Sequence, residues 1–171
     1  MKKKRSIKVY LLVLFLILII VSIRLFFLYK SSYELDNLYN NPIKVNEIYN
    51  DYTYDEYDSH VTILTYDSDQ EVVKIPEKIN GKKVLAIDDS AFYGKQKLKK
   101  VIIPKYVIRI GHQSFIGCDN LEEVDLPDDI LDIGGYAFRV CPKLKKIYVK
   151  KGSKTEKSLK DTPFLKFITY K

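Results

Sequence analysis

Residues 9–29, VYLLVLFLILIIVSIRLFFLY, form an apolar run in which Arg24 is the one charged residue. As a helix these residues rise about 31 Å, close to the thickness of a hydrocarbon core. The pattern therefore predicts a transmembrane segment. Arg24 lies near its C-terminal end, from where a long side chain reaches the headgroups. Lys2, Lys3, Lys4, Arg5 and Lys8 precede the run, and Lys30 and then an acidic stretch follow it. The positive-inside bias places the N-terminus in the cytoplasm and residues 31–171 outside. A cleaved signal peptide is the alternative reading of the same pattern. It would need a small-x-small cleavage site, but Ser22, Ser31 and Ser32 have Ile20, Tyr29 and Lys30 two positions before them. An uncleaved signal anchor is the expectation.

Beyond the run, residues 30–50 are acidic and rich in Asn and Tyr, with poor periodicity, and read as a stalk. Tyr52, Tyr54 and His60–Tyr66 alternate as strands do. From residue 85 the chain repeats with a period of 23, without gaps. Leu98, Leu121 and Leu144 coincide, as do Val101, Val124 and Ile147, then Ile103, Leu126 and Val149. Ile87, Ile110 and Ile133 form a further column, and Phe92, Phe115 and Phe138 another. Ile75-Pro76 belongs to an earlier partial unit separated by five extra residues, which hold the tight-hairpin pair Asn80-Gly81.

Each unit supplies one short strand with a single buried face, a second extended piece ending in Ile, and a Phe in a tight turn expected to be one turn of helix. A lone 23-residue unit cannot bury these side chains. Stacked copies can, by aligning equal columns into ladders. Ser153 to Glu156 has the pattern of a capping box opening a short helix to about Asp161, which Thr162-Pro163 ends. Phe164, Phe167, Ile168 and Tyr170 are then expected to cover the end of the stack.

Composition changes this picture at one point. The chain has 171 residues with a formal charge of +7, which suggests nucleic acid. Residues 1–30 hold seven bases and no acid, so the remaining 141 residues, with 22 charges of each sign, are neutral. The basic balance belongs to the targeting segment, and no nucleic-acid partner is expected. The polar columns alternate in sign from unit to unit: Lys99, Glu122, Lys145; Lys100, Glu123, Lys146; Lys105, Asp128, Lys151. Strands about 4.8 Å apart would pair these charges, and an out-of-register stack would oppose like ones.

The segments IPKYVIRIGHQSFIGCDNLEEVDLP (103–127) and LPDDILDIGGYAFRVCPKLKKIYV (126–149) resemble the BspA-type leucine-rich repeats of bacterial surface proteins. The resemblance covers about residues 50–171. It implies a right-handed, strand-rich solenoid displayed at the cell surface, with protein-binding or adhesive roles and no common catalytic residues. Three clear repeats make a small binding face, and without a C-terminal Leu-Pro-x-Thr-Gly sorting motif the N-terminal span is left as the anchor.

Candidate chemistry is sparse. The acids of 122–132 suggest calcium, but they face basic columns, and cross-unit ion pairs account for them. Cys118 and Cys141 are 23 apart and should stack, either as a disulfide or as two packed thiols. His112 shares its column with Asp89 and Gly135, and His60 lies at the first strand. Neither has a nucleophile at a recommending spacing, and too few ligands accompany Cys118 and Cys141 for zinc. No catalytic, cofactor or metal residues are assigned, and a stack this short is expected to lack a pocket of the usual ~300 Å3 or more. The sequence thus predicts a β-rich solenoid on one transmembrane helix: 1–8 cytoplasmic, 9–29 signal anchor, 30–50 stalk and 51–171 repeat domain. Its expected partners are the membrane and a protein or cell-surface ligand. The rival reading is a membrane accessory protein working through its span and stalk.

Overall fold

The computed structural model describes the backbone of residues 2–36 and 42–171, with side chains at 12–31 and 42–171. Two compact units divide near residue 37. The first is one helix, α1 (Lys2–Asp36). Within it Leu12–Ser31, 20 residues of mean hydropathy 2.8 with none buried, is long and apolar enough to cross a membrane by length and composition.

The second unit is a β-solenoid. It begins earlier than the alternation suggests. Of the expected stalk, residues 37–41 lie outside the described residues, and Lys44–Tyr49 is not stalk but an edge strand, β1. It pairs antiparallel with β2 (Tyr52–Glu56), which pairs antiparallel with β3 (His60–Tyr66). Strand β1 is held by backbone bonds while Val45 and Ile48 stay exposed, so it shows no apolar alternation to read.

The remaining strands are β4 (Val72–Lys74), β5 (Lys78–Ile79), β6 (Lys82–Ile87), β7 (Lys100–Ile102), β8 (Arg109–Ile110), β9 (Glu123–Asp125), β10 (Asp132–Ile133), β11 (Lys146–Val149) and β12 (Ile168–Tyr170). They form two sheets along the stack. One runs β1-β2-β3-β6-β8-β10, with β5 off the path on β6; the other runs β12-β11-β9-β7-β4. The second has five rungs, so a rung precedes and another follows the three evident repeats. The period of 23 is the register itself: Lys100 pairs with Glu123 and Glu123 with Lys146, while Ile110 pairs with Ile133. Asn80 and Gly81, with φ of 48° and 82°, make the β5–β6 hairpin turn, the conformation an Asn-Gly pair adopts readily.

The expected columns are buried. Leu98, Leu121, Val101, Val124, Ile147, Ile87 and Ile110 are all at most 1% exposed. The aromatic column is longer than the Phe positions suggest. Tyr52, Tyr66, Phe92, Phe115 and Phe138 follow one another at centroid separations of 5.0, 4.9, 4.7 and 5.3 Å. Each buried ring contributes roughly 2–3 kcal/mol of apolar burial.

The Phe segments are turns, not single helical turns. Their backbone donors are used between rungs: Phe92 N–H donates to Ser114 O at 2.7 Å, and Phe115 N–H to Ala137 O at 2.8 Å. Ser90 and Gln113, with φ of 60° and 56°, also break a helical path.

The stack closes with α2 (Lys154–Leu159). Ser153 caps it by accepting from Glu156 N–H at 3.1 Å, but the Glu156 carboxylate accepts from Gly152 N–H rather than completing the box at Ser153. Thr155 is buried, donating to Pro127 O and accepting from Ile130 N–H at 3.0 Å, which ties α2 to the preceding turn. A 3-10 turn, Leu165–Phe167, leads into β12. Phe164 is buried, and Phe167 and Ile168 pack against the core. Tyr170 does not cover the end; it is 53% exposed and donates to Glu156 at 2.7 Å.

Candidate binding surface

The solvent face of the five-rung sheet carries the charge columns. Lys100 Nζ meets Glu123 Oε2 at 2.9 Å, Lys146 reaches the same carboxylate at 3.9 Å, and Lys145 meets Glu122 at 2.9 Å. Three expected pairings differ. Lys99 pairs with Glu71 at 2.8 Å and Lys105 with Glu77 at 3.0 Å, while Asp128 takes Lys150 at 3.1 Å rather than Lys151. The five extra residues displace Glu71 and Glu77 from the 23-residue period, yet β4 still stacks on β7. The alternation of sign therefore continues one rung further than the sequence suggests. Hydrogen bonds from Lys145 and Lys100 hold the Glu122 and Glu123 carboxyls below the usual range.

All six acids of 122–132 have basic partners. Besides those above, Asp125 pairs with Lys171, Asp129 with Lys154 at 3.3 Å and Asp132 with Arg109 at 3.3 Å. Among the described residues no group of three or more His, Cys, Asp or Glu side chains could hold a metal ion.

Arg109 gathers more acids than its column predicts. Its guanidinium also lies 3.7 Å from Asp88 and 3.5 Å from Asp89. Burial pushes the Asp88 carboxyl above the usual range. His112 is exposed and its backbone N–H donates to Asp89 at 2.7 Å. His60 is buried and stacked on Tyr57 at 4.5 Å, at the start of β3 in the other sheet from the charge columns.

Cys118 and Cys141 are buried free thiols. Each donates to a carbonyl of the preceding turn, Cys118 Sγ to Phe92 O at 3.2 Å and Cys141 Sγ to Phe115 O at 3.1 Å. Burial pushes them up to about 12 and about 11, so at neutral pH neither is a nucleophile.

Contrary to expectation, the domain does hold a cavity of the size ligands use. It is a groove of about 670 Å3 between the turn at 135–142 and the segment 163–167. Its origin is the end of the aromatic column. Phe164 meets Phe138 edge-on at 83°, where the rings before it stack at 19°. The Phe164 ring therefore stands on edge against the last ring of the column instead of lying flat on it. Phe138, Leu144 and Phe164 make an apolar floor. Tyr136, Arg139 and Val140 line one side, Lys166 and Phe167 the other.

One break in a column could have pointed there. Gly94, Gly117 and Val140 are equivalent, with φ of 65°, 72° and 57°. Two turns place glycine where the left-handed conformation is required, and the third places a β-branched residue there.

Residues 66–170 match the family described as the BspA type leucine rich repeat region, in six copies. Among solved structures, a T. pallidum leucine-rich repeat protein is 27% identical with a TM-score of 0.56, covering 61% of this chain and 53% of that one. The chain thus spans about half the length of that relative. A leucine-rich repeat protein from Bacteroides capillosus is 24% identical with a TM-score of 0.62, covering 75% of this chain and 99% of that one. One from Bacteroides ovatus is 24% identical with a TM-score of 0.54, covering 74% of this chain and 34% of that one. The last two likenesses concern the fold. No curated protein matches the chain.

Proposed function

The chain belongs to the BspA-type leucine-rich repeat family, and from that premise we propose that it is a membrane-anchored, surface-displayed module that binds or adheres to a protein ligand without catalysis. The observation that carries the reading is the combination, in one chain, of a helix with a 20-residue apolar stretch and a stacked-repeat domain. Repeat stacks of this family are typically protein-binding. In this reading the basic N-terminus is cytoplasmic, α1 is an uncleaved anchor, and the repeat domain from β1 onward is displayed outside. The ion pairs among the charge columns support a scaffold role for those acids, which leaves binding to the faces and ends of the stack.

Two measurements test it. Without protease the full-length chain should stay in the membrane fraction, and protease added to intact cells should remove residues 44–171 from it. A mature N-terminus between residues 22 and 33 would overturn the anchor. Deleting residues 60–171 should abolish adhesion or ligand capture. Survival of the cellular role after that deletion would favour the membrane accessory reading, in which span and stalk do the work.

A further inference from the structure

We propose that the groove between the turn at 135–142 and the segment 163–167 binds an extended peptide of a partner protein, seating one bulky apolar side chain beside a carboxylate. This rests on the binding-module reading and gives it a site and a ligand class. Three observations carry it.

The first is Val140. Its φ of 57° is a conformation that a β-branched residue adopts only under strain. Gly94 and Gly117 fill the same position in the two preceding turns without that strain. The Val140 side chain is 58% exposed, so burial within the domain does not offset the cost. Strained residues that offer a side chain to solvent gather at ligand sites.

The second is the floor. Phe138, Leu144 and Phe164 present carbon to a groove of about 670 Å3, which is room for a large side chain and the main chain on either side of it.

The third is charge. Arg139 lies over the Tyr136 ring at 5.0 Å and Lys166 over the Phe167 ring at 4.9 Å, so each side of the groove holds a cation steadied by an aromatic face. No carboxylate lines the groove. Neither cation has an acidic partner among the described residues, whereas most of the sheet-face lysines do. An apolar floor between two uncompensated cations selects an apolar group with an adjacent negative charge.

The test uses the full chain in phosphatidylcholine nanodiscs and three fluorescein-labelled peptides, Gly-Ser-Phe-Asp-Ser-Gly and its Phe-Asn and Ala-Asp counterparts. Anisotropy should show the Phe-Asp peptide binding about fivefold or more tightly than either counterpart. Val140→Gly should weaken its binding about threefold while raising the melting temperature, a pair of opposite signs that a damaged fold cannot produce. The double variant Arg139→Gln/Lys166→Gln should bind the Phe-Asp and Phe-Asn peptides equally. A Phe-Asp peptide that binds no better than its counterparts, binding unaffected by Val140→Gly, or a groove that takes oleate and not the peptide would each overturn the proposal. Failure here together with loss of adhesion on deleting 60–171 would place binding on another face. Failure here with adhesion intact after that deletion would remove the binding-module reading as well.

Discussion

Tyr66 stacks on Phe92 with ring centroids 4.9 Å apart and planes 25° from parallel. The two residues are 26 apart, outside the 23-residue period, yet their rings meet as Phe92 and Phe115 do. The aromatic column therefore starts in the antiparallel hairpin and continues through the parallel rungs, so cap and repeats share one core.

That continuity sets the cost of interrupting the column. Phe115 is fully buried between Phe92 and Phe138. Phe115→Ala should lower stability by about 3–5 kcal/mol in urea melts, whereas Tyr170→Ala, at an exposed ring, should change it by less than about 1 kcal/mol. A cost below ~1 kcal/mol at Phe115 would contradict its place in the core.

The charge columns predict a salt-dependent defect. Glu122→Lys/Glu123→Lys would place like charges against Lys145, Lys100 and Lys146. The double variant should melt lower than the parent at low salt and recover in part at high salt, since exposed charges are screened over about 10 Å at 0.1 M. Calcium should leave the parent's melting temperature unchanged; a calcium-dependent rise lost in the double variant would revive a metal role for 122–132.

Acid should destabilise the domain. Glu56, Glu122 and Glu123 are held low by hydrogen bonds from Lys82, Lys145 and Lys100, and Glu156 by the Gly152 N–H. A carboxyl lowered by folding supplies stability that is complete above its ordinary value of 4.5 and is lost as pH falls through the lowered one. Asp88, raised by burial, has the opposite sign: its contribution is full at low pH and is lost as pH rises through its raised value. Four lowered groups against one raised group give a net fall in calorimetric melting temperature between about pH 6 and pH 3. An unchanged melting temperature over that range would contradict the pairing.

The thiols should be inert while the domain is folded. With Cys118 and Cys141 pushed up to about 12 and about 11 by burial, iodoacetamide should label both at pH 8 at least about a hundredfold more slowly than in urea. Two free thiols per chain should be counted after unfolding without reductant. A count of zero would show the disulfide instead.

The solenoid was legible because its repeats are without gaps: equal residues 23 apart became partners in parallel strands. What escaped was structure without period. Strand β1 pairs through its backbone and buries little, so Lys44–Tyr49 carries no alternation. The rung at β4 is offset by the hairpin insertion, which hid Glu71 and Glu77 as partners of Lys99 and Lys105. The Phe segments are short enough to suggest one turn of helix, but their N–H groups bond the next rung, which local sequence cannot disclose. The groove depends on the angle at which Phe164 meets Phe138, and its one trace in the sequence is a valine where two glycines precede it.

The alternation of charge also bears on how such a chain can grow. Its apolar columns would accept a duplicated unit anywhere, because every rung places a large apolar residue at the same positions. Its polar columns would not: a copied lysine rung set beside its parent would oppose Lys to Lys, and a copied glutamate rung Glu to Glu. Only an even number of added rungs preserves the alternation from Glu71 through Lys99 and Glu122 to Lys145. Gene duplication along this array is therefore favoured in pairs of units, and related chains should differ in length by two rungs more readily than by one.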